Sequence, residues 1–130
     1  MNSFTRSFTT SEADIDILGH VNNAVWVRWI QDMATAHWDA VAPQAWRDAY
    51  IWVVTRHEID YPGNVGAGEL VTGRTWISEA PKGARFDRNV EFTDSAGKVI
   101  VRAVTTWAFI ERASGRVRRV PGDLVQLFMD

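Results

Sequence analysis

The chain has no cysteine. That excludes disulfides, thiolate metal sites and a cysteine nucleophile, and it fits a cytoplasmic protein. Histidine is scarce, and His20, His37 and His57 show no metal-ligand spacing. No apolar run approaches the length needed to cross a membrane, and Met1–Thr10 lacks the apolar core of a signal peptide. Neither a membrane partner nor a leader is therefore expected. The net charge is only −2, which gives no electrostatic footprint for nucleic acid. A Gly-x-Ser-x-Gly elbow is missing, which argues against a serine hydrolase. Gly63, Gly66 and Gly68 are followed by neither a helical pattern nor Lys-Ser/Thr, so they are not a phosphate loop.

What remains is an ordinary globular composition over 130 residues, with 46% apolar and 23% charged residues. This length predicts one domain spanning 1–130. Seven tryptophans are many for the size. They read as core and interface filler, with Trp26, Trp29 and Trp52 as candidates for lining an apolar pocket.

Only one long helical pattern is present. Trp26, Trp29, Ile30, Met33, His37 and Val41 recur at helix spacing, and Arg28, Asp32, Thr35 and Asp39 take the opposite face. Arg28 and Asp32 are placed for an i,i+4 ion pair. Asn22 or Asn23 is a natural N-cap, and Pro43 stops the helix before a short extra helical turn to Ala49. Elsewhere the period is two. Strands are expected at Phe4–Thr10, Tyr50–Asp60, Glu69–Glu79, Phe86–Thr93 and Lys98–Glu111, with a short last one at Arg116–Val120. Ile51, Val53, Thr55, His57 and Ile59 are read as one face of the second of these strands. Lys98–Glu111 is apolar on both faces, as a covered central strand would be. The result is an α+β layer of one helix on an antiparallel sheet. One helix cannot cover both faces of such a sheet, so a homodimer or homotetramer is expected.

Polar chemistry gathers just before the long helix, in Asp14-Ile15-Asp16-Ile17-Leu18-Gly19-His20-Val21-Asn22-Asn23. Carboxylates and an imidazole here would sit at the positive end of the helix, a place suited to polarising a carbonyl. On residue chemistry alone Asp14 and Asp16 are equivalent, since either could cap a turn. His20 could orient a substrate or shuttle a proton, or be a hydrogen-bonded structural residue. His37 reads as a core histidine. His57 and Glu58 fall on opposite faces of a strand.

This string, followed directly by an aromatic-rich helix, resembles the signature of the hotdog-fold acyl-CoA thioesterases, and in particular the 4-hydroxybenzoyl-CoA thioesterase branch. The similarity continues through Arg56-His57-Glu58-Ile59-Asp60-Tyr61, Gly68-Glu69 and Val120-Pro121. Asn64 and Glu69 depart from it, where relatives tend to carry proline and aspartate. The resemblance implies a hotdog fold, a curved sheet of about five strands wrapped around the helix, in dimers joined sheet edge to edge and often paired into tetramers. It implies hydrolysis of an acyl-CoA to free acid and CoA, without a cofactor. It makes Asp16 the catalytic carboxylate, as base or nucleophile, and places the thioester oxygen at the backbone N–H of Asn23, with His20 and Asn22 beside it. Coenzyme A phosphates need cations. Lys82, Arg85 and Arg88 surround one turn and are candidates, as are Arg116, Arg118 and Arg119 at another. Two other readings stay open: a non-catalytic acyl-binding hotdog protein, and a hotdog dehydratase or hydratase in which His37 would have to serve.

Overall fold

The computed structural model describes residues 2–129. Strand β1 (Ser3–Thr9) leads through a 3-10 turn (Glu12–Asp14) to helix α1 (Asn23–Val41), then to a short helix α2 (Gln44–Ala49). Strands β2 (Tyr50–Asp60), β3 (Leu70–Trp76), β4 (Arg85–Thr93) and β5 (Val99–Glu111) follow, and helix α3 (Gly122–Met129) closes the described chain. The strands form one antiparallel five-stranded sheet in the order β1-β3-β4-β5-β2. The sheet curves around α1, so β1 and β2 are its edges.

The apolar stripe of α1 is what the sheet wraps. Trp26, Ile30, Met33 and His37 are fully buried and Trp29 nearly so, whereas Arg28, Thr35 and Asp39 are exposed. Burying each large apolar side chain is worth roughly 1.5–3 kcal/mol, far more than the helix propensity of β-branched or aromatic residues could offset. Trp26 and Trp29 meet edge to face and pack on Phe8 and Phe92. They are core filler and line no pocket described below. The helix packs tightly on the sheet at Gly73, where a Cβ would stand 2.9 Å from both Met33 Sδ and Phe92 Cε1.

Four features differ from the sequence reading. Arg28 pairs with Asp14 of the preceding loop at 3.5 Å rather than with Asp32. A bulge between Val54 and Arg56 shifts the β2 register. Trp52 therefore lies opposite Phe109 and His57 opposite Thr105 on the helix side, while Val53 points outward and is 42% exposed. Strict alternation along β2 thus fails at the extra residue. The outer face of β5 is open, with Val104 37% exposed. Finally, Arg116–Val120 makes only a single bridge, Val117 to Ile110, and the chain goes on into α3. Leu124 and Phe128 of α3 are buried, and Phe128 stacks on Trp38.

Candidate active site

The loop before α1 folds back on itself as a narrow hairpin. Ile15 bridges Val21, the Asp16 N–H donates to the His20 carbonyl at 2.9 Å, and the Asn22 N–H donates to the Asp14 carbonyl at 2.9 Å. Gly19, at φ +77°, makes the reversal, a conformation that costs other residues about 1 kcal/mol or more. This ladder sets Asp16 opposite His20 and Asp14 opposite Asn22, one residue before the helix.

The two carboxylates then part ways. Asp14 is engaged on both oxygens. Oδ2 accepts from the Ser11 N–H at 2.9 Å and the Ser11 hydroxyl at 3.2 Å, and Oδ1 faces Arg28 Nη2 at 3.5 Å. Asp16 is engaged on one. Oδ1 accepts from the Leu18 N–H at 2.9 Å and the His20 N–H at 3.3 Å, and Oδ2 has no partner among the described residues. Asp16 is half-buried, and His20 is exposed with no side-chain partner among the described residues.

The helix start is equally uneven. Asn22 is the N-cap, its Oδ1 accepting from the Ala24 N–H at 2.9 Å, and the Val25 N–H donates to the Asn22 carbonyl at 2.9 Å. The Asn23 N–H has no acceptor among the described residues. It is the donor that capping leaves over, and the helix dipole adds to its pull on a negative oxygen.

Asn64 is a positioning residue that the sequence reading treated only as a departure. Its Oδ1 accepts from the Val21 N–H at 3.1 Å and its Nδ2 donates to the Val21 carbonyl at 3.3 Å, while the Val65 carbonyl takes the Val21 N–H at 3.2 Å. The glycine-rich connection is thereby fastened to the hairpin. A half-buried asparagine staple of this kind is visible only once the two loops are adjacent, 43 residues apart in sequence.

The three cations named for phosphate binding do not stay together. Lys82 and Arg85 are exposed and close a tight turn by reciprocal backbone bonds of 2.8 and 3.1 Å. They share an open pocket of about 820 Å³ on the outer face of the sheet with Arg56, Glu79 and Asp87. Arg88, by contrast, is only 7% exposed and points inward from β4, because it shares the inward face with Phe86, Val90 and Phe92. Its Nη1 donates to His37 Nδ1 at 2.8 Å and to Thr75 Oγ1 at 3.0 Å. Arg112, Arg116, Arg118 and Arg119 are surface residues, with Arg118 paired to Glu111 at 3.1 Å.

Towards the other end of α1 lies a cavity of about 470 Å³, within the range of small-molecule sites. Trp52, the third tryptophan singled out above, is on its wall, with Trp38 and Trp107.

A curved antiparallel sheet wrapped on one helix, with a carboxylate hairpin at the helix amino end, defines an α+β protein of the hotdog fold. The model of the acyl-ACP thioesterase N-terminal domain matches residues 1–128, and the chain belongs to that family. Among curated proteins it is 27% identical over 85 residues to a chloroplastic acyl-[acyl-carrier-protein] hydrolase of Cuphea viscosissima, covering 65% of this chain and 20% of that one. The chain thus spans about a fifth of the length of the curated relatives it matches. A solved acyl-ACP thioesterase of Bacteroides thetaiotaomicron superposes with a TM-score of 0.83 at 23% identity, over 98% of this chain and 54% of that one. A 4-hydroxybenzoyl-CoA thioesterase variant, solved with 4-hydroxybenzoyl-CoA, superposes with a TM-score of 0.84 at 17% identity, over 97% and 98%.

Proposed function

We propose that this chain hydrolyses an acyl thioester, with Asp16 acting at the carbonyl carbon and the Asn23 N–H receiving the carbonyl oxygen. The observation that carries the reading is the asymmetry just described. Of two neighbouring carboxylates, Asp14 is used up in ordering the loop, whereas Asp16 keeps one oxygen without a protein partner. The helix start likewise keeps one N–H without an acceptor. A base or nucleophile and an oxyanion donor are the two things that hydrolysis without a metal or cofactor requires.

Two routes use these groups. Asp16 serves as base in one and as nucleophile in the other, and each route balances. As a base it takes a proton from water, whose oxygen adds to the carbonyl carbon; the intermediate then breaks its C–S bond, and the departing thiolate takes up the proton held by Asp16. As a nucleophile its free oxygen adds instead, the thiolate leaves, and water cleaves the resulting anhydride. In both, negative charge grows on the carbonyl oxygen and is met by the Asn23 N–H. His20, opposite Asp16 in the hairpin, is placed to orient the thioester, and Asn22 holds the donor in position by capping the turn around it. A non-catalytic binding role would give no reason for a carboxylate and a donor to be left unpaired at one helix end. A dehydratase role for His37 conflicts with its burial and its bonds to Arg88 and Asn2.

The thiol carrier is either coenzyme A or acyl carrier protein, the family model favouring the second and the signature string the first. Lys82 and Arg85 are the exposed cations for CoA phosphates. The active form is a homodimer, alone or paired into a tetramer, and the setting is cytoplasmic.

Release of free thiol from a panel of acyl-CoA and acyl-carrier-protein thioesters tests the activity. Asp16→Asn should lower kcat by about 10² or more, the scale of a lost general base, with an unchanged melting curve and little change in KM. Asp14→Asn should lose stability rather than chemistry. Normal turnover by Asp16→Asn would remove Asp16 from the mechanism.

A further inference from the structure

Arg88 is a buried cation without an anion. Its guanidinium is fixed through Nη1 alone, by His37 and Thr75, and no carboxylate lies within 4 Å of it among the described residues. Phe128 offers only its ring, 5.7 Å away. A charge held this way costs several kcal/mol unless something compensates it. Burial already lowers the Arg88 pKa to about 10.

This cation stands on the wall of the 470 Å³ cavity, among Trp38, Trp52, Phe86, Trp107 and Phe128. The other charges on the lining, Asp39, Asp48, Arg47 and Arg112, balance one another, and all but the half-buried Arg47 are exposed. The interior therefore offers aromatic faces and one charged donor that no anion matches.

We propose that this cavity binds an acyl group with a flat, aromatic body and a carboxylate at the end remote from the thioester, the carboxylate pairing with Arg88. An ionised carboxylate only accepts hydrogen bonds, so it suits the N–H groups that Arg88 leaves unused. A guanidinium with one nitrogen committed still has Nη2 and Nε free to form a fork on it. That the bound group is an acyl chain rests on the thioesterase reading; the preference for a carboxylate does not.

Monomethyl terephthalate is a suitable probe, its ester standing in for the thioester, with methyl 4-carbamoylbenzoate as the neutral match. Titration into the wild-type protein should change tryptophan fluorescence, since three tryptophans line the cavity. The acid should bind at least about tenfold more tightly than the amide, the gap expected of a charge-assisted bond. Arg88→Met should erase that gap while keeping amide binding. Should Arg88→Met fail to fold, the wild-type acid-to-amide ratio decides alone. Equal binding of the two probes, or no binding of either at millimolar concentration, overturns the proposal. Thiol release from a 4-carboxybenzoyl thioester against a benzoyl thioester then separates the two claims. Hydrolysis of both with equal probe binding would leave the thioesterase and remove the carboxylate site. Acid-selective binding without any hydrolysis would leave the site and remove the thioesterase.

Discussion

His37 shows how one buried residue ties distant segments and carries a pH signature. Arg88 Nη1 can only donate, so His37 Nδ1 accepts and the ring proton sits on Nε2, where it meets Asn2 Oδ1 at 2.9 Å. Asn2 in turn donates to the Leu127 carbonyl at 3.1 Å, so the imidazole links β1, α1, β4 and α3. Burial and then the Arg88 charge lower the His37 pKa to about 4. Between that value and its ordinary 6.5 the unfolded chain binds a proton that the folded chain refuses. Stability should therefore fall as pH drops through this window, by on the order of 2 kcal/mol. Melting temperatures from pH 7 to 4.5 should decline more steeply for the wild type than for His37→Gln, which keeps an acceptor and cannot titrate. Parallel lines would show that His37 contributes no such term. The site was only partly legible at this scale. Asp14 and Asp16 are alike in the sequence, and only the three-dimensional hairpin reveals which one is consumed by Ser11 and Arg28. Arg88 could have been found, because it occupies the inward register between Phe86 and Val90. Its nearness in sequence to Lys82 and Arg85 suggested a surface cluster instead.

Among the elements, α1 was the most legible, because its apolar stripe serves both the local helix and the sheet that wraps it. Strand β2 was misread in its first half for a physical reason: a bulge inserts one residue, and every side chain before it changes face. Helix α3 was missed, although Leu124, Leu127 and Phe128 after Pro121 follow helix spacing. Its eight residues are too few to fold alone, and packing against Trp38 and His37 makes up the deficit. The contact between α1 and the sheet yields a prediction. Gly73 lies where Met33 and Phe92 leave no room for a methyl group. Gly73→Ala should destabilise by about 1–3 kcal/mol, because both neighbours are fully buried and must move. Arg28→Ala should cost under about 1 kcal/mol, since its pair with Asp14 is mostly solvent-exposed on the arginine side. Chemical denaturation of the two variants measures the difference. Equal losses would mean that the helix does not rest on Gly73.

At the scale of the whole molecule the hairpin that carries Asp16 and the aromatic cavity belong to different ends of one helix. Helix α1 has 19 residues, and at about 1.5 Å per residue it is roughly 28 Å long. The hairpin precedes its first residue, whereas the cavity begins at Ala34. A single chain therefore does not deliver a small acyl group from one to the other. The free edge of β2 offers a solution. Its first residues, Tyr50–Trp52, border the cavity, and its last, Asp60, leads to the Gly63–Val65 segment that holds Val21 of the hairpin. If two copies pair antiparallel along β2, the start of one strand lies beside the end of the other, and each cavity opens toward the partner's Asp16. Thr55, exposed and at the middle of β2, would then lie closest to its own counterpart across the two-fold axis. Light scattering at micromolar concentration should give twice the 14.7 kDa chain mass. Thr55→Glu places two like charges near that axis and should weaken the dimer, most strongly at low salt, where screening is least. Thiol release per chain should fall in proportion to the dimer lost and recover at higher protein concentration. A monodisperse chain of 14.7 kDa with full and concentration-independent turnover would show that each copy works alone and that the cavity has no part in hydrolysis.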